Sequence, residues 1–189
     1  MAALQFYIEL KDTNPKVWRR IQIPAHYTFY QLHKTIQGAF GWENRHLFRF
    51  SENDMMDIES IELIYEDMDV ANGYKVKDAR RTKVIKHFNQ QQKRMMYIYD
   101  FGDQWEHWIL FEKYDEEPEN AACIEGRGAC PPEDCGGLPG YKRILSLLSE
   151  REKMNEPGDE DLLMMLPEGE WDEQKCNIAE INKRLCLLD

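Results

Sequence analysis

The sequence predicts an α+β fold: a mixed, mainly antiparallel sheet with one early helix packed on it and a helical C-terminal region. Three observations carry this expectation. Short stretches of alternating apolar and polar residues recur through the first 125 positions. One amphipathic segment of helical spacing interrupts them early, and beyond a Gly/Pro-rich stretch the apolar spacing is helical to the end.

Taken in order, residues 4–10 alternate as a strand, with Phe6, Ile8 and Leu10 on one face and Tyr7 and Glu9 on the other. Thr13, Asn14 and Pro15 mark a turn into a second strand over 17–23, stopped by Pro24. Thr28 is the expected N-cap of a helix in which Phe29, Leu32, Ile36 and Phe40 share one face, and Gly41 ends it. Residues 46–50 read as a short strand. The pattern weakens over 51–94, where 58–65 offers one more strand, Asn72-Gly73 a turn and 83–88 a short edge segment. Residues 95–101 and 105–111 alternate around Gly102-Asp103 and predict a hairpin, with Trp105, His107, Ile109 and Phe111 on one face. Acidic 114–120 reads as a loop and 122–125 as a short extended piece. Residues 126–140 hold five Gly and three Pro and predict irregular structure. Helices are expected over 141–151, 159–166 and 173–188, with breaks at 155–158 and 166–169. The whole chain, 1–189, reads as a single domain: strands and early helix over 1–130, the Gly/Pro-rich loop over 126–140, then helices over 141–188.

Composition bounds the chemistry. A chain of 189 residues with 42% hydrophobic residues has the material for a core, and no apolar run approaches a membrane span. The first ten residues lack a basic stretch followed by an apolar one, so a cytoplasmic location is expected. Five cysteines, all beyond residue 120, fit reduced thiols better than a disulfide framework, and Cys123, Cys130 and Cys135 lack the paired spacing of a structural zinc site. The net charge of −11 is uneven: residues 1–94 carry +3 and residues 95–189 carry −14. Within the first half, Arg80, Arg81, Lys83 and Lys86 belong to a basic stretch that is the candidate nucleic-acid contact, although the overall charge opposes a polyanion.

Three segments hold polar and aromatic residues that a bare core does not need: Gly41, Trp42 and His46; Tyr99, Asp100, Asp103, Trp105 and His107; and Pro131, Pro132, Glu133, Asp134, Cys135, Gly136 and Gly137. Two imidazoles, four carboxylates and a thiol suffice for a divalent-metal site or an acid–base pair if folding gathers them. Each also has a structural explanation, Asp103 as a turn residue and Glu133 and Asp134 as caps of backbone amides. No Lys follows the glycines in a phosphate-loop pattern, and the signatures of the known protease classes are missing.

The series Val17, Trp18, Arg19, Arg20, Ile21, then Phe29, Leu32, His33, Ile36, Gln37, Ala39, Phe40, Gly41, Trp42, His46, Leu47 and Phe50 resembles the N-terminal block of the plasmid pRiA4b ORF-3-like family. The run from Tyr99 to His107 and the loop from Cys123 to Tyr141 resemble its two later blocks, in the same order, over roughly residues 4–185. The resemblance implies a single α+β domain of bacterial and archaeal type. Some members sit on plasmids or beside insertion elements under a resolvase-like or passenger label. This sequence has neither the serine nor the tyrosine recombinase arrangement, and the resemblance supplies no catalytic residue and no cofactor.

Three readings follow, in order of preference. The first is a non-catalytic ligand- or protein-binding module with a cleft built from Trp18, Trp42, His46, Tyr99, Asp100, Asp103, Trp105, His107, Glu133, Asp134, Gly136 and Gly137. The second is a metal-assisted hydrolase with a divalent metal on His46, Asp103, His107 and Glu133. The third is a mobile-element-associated nucleic-acid-binding protein using Arg80, Arg81, Lys83 and Lys86.

Overall fold

A computed structural model describes residues 2–52, 57–65, 74–89, 91–116, 120–149, 156–166 and 171–188. Its centre is an eight-stranded sheet in the order β5-β4-β3-β6-β7-β1-β2-β8. β1 (Ala2–Leu10) and β2 (Trp18–Pro24) form the expected hairpin, with Leu4 opposite Ile23 and Ile8 opposite Arg19. Thr13 closes its turn: the hydroxyl donates to Leu10 O at 3.0 Å and accepts from Val17 N–H at 3.1 Å. β6 (Arg94–Tyr99) and β7 (Trp105–Glu116) form the second expected hairpin. β7 then lies against β1, which makes the two hairpins one sheet.

β3 (Phe48–Ser51) pairs with β6, and β4 (Glu59–Glu62) pairs with β3. β5 (Lys75–Asp78) runs parallel to β4, whereas the other pairings are antiparallel. The sheet is therefore mixed and mainly antiparallel, and with the four helices among the described residues the fold is α+β.

The early helix α1 (Phe29–Phe40) starts and stops where its end signals predict. Thr28 and Gln31 form a reciprocal capping box, and Gly41 adopts φ +98°, the left-handed geometry that terminates a helix. Phe29, Leu32, Ile36 and Phe40 are buried on its inner side. They meet the sheet face carrying Phe6, Ile8, Ile21, Phe50, Tyr97, Ile109 and Phe111, with Phe29 and Phe50 in an edge-on contact at 4.9 Å. α4 (Ile178–Leu185) packs on α1 and on β8 (Ala122–Arg127), and Gly38 permits the approach: a Cβ there would stand 2.9 Å from Leu185 Cδ2. α2 (Gly137–Ser149) and α3 (Asp159–Met164) are tied by Arg143, whose Nε and Nη2 donate to the two oxygens of Asp159 at 2.8 and 2.7 Å.

Several expectations need correction. Residues 83–88 are not an edge strand. Val84–Lys86 form a 3₁₀ turn that buries Val84 and, four residues on, Phe88, leaving one isolated bridge between Thr28 and Lys83. The expected acidic loop at 114–120 is strand through Glu116, because β1 supplies its partners there, and residues 117–119 lie outside the described residues. The Gly/Pro-rich stretch is regular at both ends. β8 reaches Arg127 opposite Trp18, and α2 begins at Gly137 with Pro139 in its first turn, where a missing N–H costs nothing. The last helix starts at Ile178 rather than 173, capped by the Asn177 side chain on Glu180 N–H. The expected Asn72-Gly73 turn, residues 150–151 of the expected second helix, Asn155 and residues 167–169 of the expected breaks lie outside the described residues. Among the described residues no helix is long and apolar enough to cross a membrane.

Candidate functional site

Three segments meet at one end of the sheet: the loop after α1 (41–47), the β6–β7 turn (100–104) and the loop before α2 (130–136). The first is pinned almost residue by residue. The Trp42 indole N–H donates to Pro131 O at 3.1 Å, and Glu43 N–H donates to Glu133 Oε2 at 2.7 Å. Asn44 N–H donates to Gln37 Oε1 at 3.1 Å, and Arg45 and His46 both donate their backbone N–H to the Tyr99 hydroxyl, at 3.0 and 3.3 Å. That hydroxyl in turn donates to Glu133 Oε1. Burial, with Glu133 next, pushes the Tyr99 phenol well above its usual range, so it stays protonated as a donor.

Beneath the loop, His33 Nε2–H donates to Asn44 Oδ1 at 2.6 Å while Nδ1 accepts from the Tyr97 hydroxyl at 2.8 Å. Gln37 Nε2–H donates to that same Tyr97 oxygen at 3.0 Å. His33, Tyr97, Gln37 and Asn44 thus close a ring of hydrogen bonds. Burial lowers the His33 pKa to about 4, which suits the neutral tautomer this ring requires.

The result is a side-chain cluster around His46. Its Nε2 lies 2.9 Å from Asp134 Oδ1, 3.6 Å from Asp100 Oδ2 and 4.0 Å from Glu133 Oε1. The nitrogen is buried and makes no hydrogen bond. One ligand atom each from His46, Asp100 and Asp134 falls within 4.8 Å of the others, close enough for a metal ion. Asp100 and Asp134 both hold left-handed backbone, φ +56° and +60°, which Asp tolerates better than most residues. Asp100 is fixed further by Gly102 N–H on its Oδ1 at 2.8 Å, which leaves Oδ2 for the cluster.

The remaining sequence candidates have other places. Asp103 Oδ2 accepts from Gly136 N–H at 3.1 Å and thereby docks the third segment on the turn. His107 is fully buried away from the cluster, with Nδ1–H donating to Trp105 O at 2.9 Å; burial lowers its pKa to about 3. Trp42, Tyr99 and Trp105 are buried rings, Trp42 stacked on Tyr99 at 5.2 Å and tilted against Trp105 at 5.8 Å, so they form the floor under the cluster rather than an open aromatic wall. Trp18 lies on the opposite face of the sheet, against Tyr7 and under Arg20. Gly136 is exposed and Gly137 buried. Of the four candidate metal ligands, His46 and Glu133 lie in one side-chain cluster with Asp100 and Asp134, whereas Asp103 and His107 lie outside it.

The thiols are poor alternative ligands. Burial pushes Cys123 up to about 11 and Cys135 up to about 12, and raises Cys130 further. The four basic candidates do not form one free patch. Lys83 Nζ donates to His26 O and Arg81 faces Asp78 at 3.8 Å. Lys86 is exposed on the 3₁₀ turn, and Arg80 sits between two tyrosine rings.

A family model described as plasmid pRiA4b ORF-3-like protein matches residues 2–180. Uncharacterized protein y4hQ of Sinorhizobium fredii is 29% identical over 188 residues, covering 96% of this chain and 90% of the relative. The crystal structure of a protein of unknown function, MM3350 from Methanosarcina mazei Go1, superposes with a TM-score of 0.79 at 31% identity. The match covers 95% of this chain and 96% of that one.

Proposed function

For a chain that belongs to the plasmid pRiA4b ORF-3-like family, we propose a ligand-binding module whose ligand is a divalent transition-metal ion. His46 Nε2, Asp100 Oδ2 and Asp134 Oδ1 hold it, with Glu133 Oε1 as a fourth donor. The observation that carries the reading is His46 Nε2: a ring nitrogen without solvent or hydrogen bond, ringed by three carboxylates. Carboxylates this close repel one another unless a cation sits among them. One imidazole with two or three carboxylates suits Mn²⁺, Fe²⁺ or Zn²⁺. The Tyr99 hydroxyl on Glu133 is the kind of outer contact that orients a ligand carboxylate.

The test is elemental analysis of protein purified without a metal-affinity tag, followed by Mn²⁺ and Zn²⁺ titration by calorimetry. One site is expected, with affinity falling by more than roughly the 100-fold of an outer-contact change in His46→Ala and in Asp134→Asn. Unchanged binding in both folded variants, or no binding to the parent at millimolar metal, returns His46 to a structural role.

A metal-assisted hydrolase is the second reading. It is favoured by the half-exposed Asp134 and by an open groove of about 640 Å³ that Glu133 and Asp134 border. The single-domain organisation over 1–189 is part of the proposal and is supported by the packing of α4 on α1 and β8. Five free thiols support a reducing, cytoplasmic setting.

A further inference from the structure

The ring of hydrogen bonds beneath the 41–47 loop has three buried members, His33, Gln37 and Tyr97. The fourth, Asn44, stands at the surface two residues before His46, with left-handed backbone at φ +57°. The direction of these bonds is not free. Asn44 N–H is a backbone donor, so the Gln37 atom it meets at 3.1 Å is the oxygen, which turns the Gln37 nitrogen towards Tyr97. The Tyr97 hydroxyl accepts there and gives its single proton to His33 Nδ1 at 2.8 Å. Burial keeps His33 neutral, and a neutral imidazole that accepts at Nδ1 carries its proton on Nε2. That N–H donates to Asn44 Oδ1 at 2.6 Å. Each member thus donates once and accepts once in the same sense around the ring, so the bonds polarise one another.

A buried polar ring costs desolvation that an apolar contact would not. What it adds is direction, because Asn44 is held by backbone and side chain at once, from two successive turns of α1. Tyr99, two residues from Tyr97 on β6, then accepts from the backbone N–H of Arg45 and His46. We propose that His33 and Asn44 are positioning residues of the cation site: their hydrogen bond sets the course of the loop so that His46 Nε2 faces Asp100 and Asp134. The proposal rests on the cation reading for what His46 does, and on the ring alone for how His46 is aimed.

The experiment pairs two measurements on the full chain. Long-range proton–nitrogen NMR of the metal-free protein is expected to show the His33 proton on Nε2; a proton on Nδ1 overturns the ring and the proposal. Mn²⁺ titration by calorimetry then reads the site. Asn44→Gly keeps the left-handed backbone and its N–H but removes the acceptor of His33, and His33→Leu empties the ring. Each is expected to weaken Mn²⁺ binding roughly tenfold or more. His33→Gln can still accept from Tyr97 and donate to Asn44, and should bind Mn²⁺ as the parent does. Ile36→Val thins the core on the same inner side of α1 and should lower stability in urea with Mn²⁺ affinity unchanged. The proposal falls, and the cation reading stands, if Asn44→Gly and His33→Leu bind Mn²⁺ like the parent, if Ile36→Val weakens it as much as they do, or if His33→Gln binds no better than His33→Leu. A parent that carries the Nε2 proton on His33 but binds no Mn²⁺ overturns the cation reading, and the proposal with it.

Discussion

At the scale of single residues, the two buried histidines set the acid stability. His33 and His107 titrate near 6.5 in an unfolded chain but stay neutral in the folded one down to about 4 and about 3, because burial disfavours the imidazolium. As pH falls the unfolded chain takes up these protons first. Their contribution is therefore complete above 6.5 and is lost from there towards the folded values. Between pH 7 and 5 this amounts to about 2 kcal/mol for each histidine. Glu112, whose burial is outweighed by Arg20, loses its contribution only below 4.5, so the windows separate. Urea unfolding at the two pH values should show the loss, and His107→Gln should remove about half of it while lowering stability at both. A slope unchanged by that substitution would assign the acid sensitivity elsewhere. The buried side of His107 was readable from its alternation with Trp105 and Ile109. Asp100 and Asp134 were legible as cleft candidates, but not their place beside His46 Nε2, since that depends on two left-handed aspartates in separate loops.

At the scale of elements, what was legible is what is encoded locally. Thr28, Gln31 and Gly41 mark the ends of α1 in the sequence itself, and the Gly102-Asp103 turn marks the β6–β7 hairpin. The start of α2 was hidden because Gly137 and Pro139 look like loop residues yet are tolerated in a first helical turn. Gly137 has a tighter reason to be glycine. Its φ is +65°, and a Cβ there would lie 2.4 Å from Asp103 O, so the third segment of the site reaches the turn only over a bare backbone. Gly137→Ala should cost about 2 kcal/mol or more in urea unfolding. It should also weaken Mn²⁺ binding although no ligand is altered, because Asp134 lies three residues away on the displaced loop. Intact metal affinity in a destabilised variant would separate the loop's docking from the geometry of the cluster.

At the scale of the whole molecule, the strand order explains both what the sequence hid and how the site works. Pairing of β7 with β1 joins strands far apart in the chain, and no local pattern announces such a partner. The same non-local sheet brings His46, Asp100 and Asp134 together from positions more than thirty residues apart in each interval. An unfolded chain does not present that set of ligands, so a cation held there binds the folded state alone and stabilises it. At a metal concentration 100 times the dissociation constant the gain is about 2.7 kcal/mol. The expected result is a rise in melting temperature with Mn²⁺ that a chelator reverses and that Asp134→Asn abolishes. The acidic second half, with a net charge of −14, offers a competing explanation through diffuse cation binding. Diffuse binding would be screened by added monovalent salt and would survive Asp134→Asn. A shift that persists in high salt and disappears in that variant places the cation among the three segments the sheet assembles.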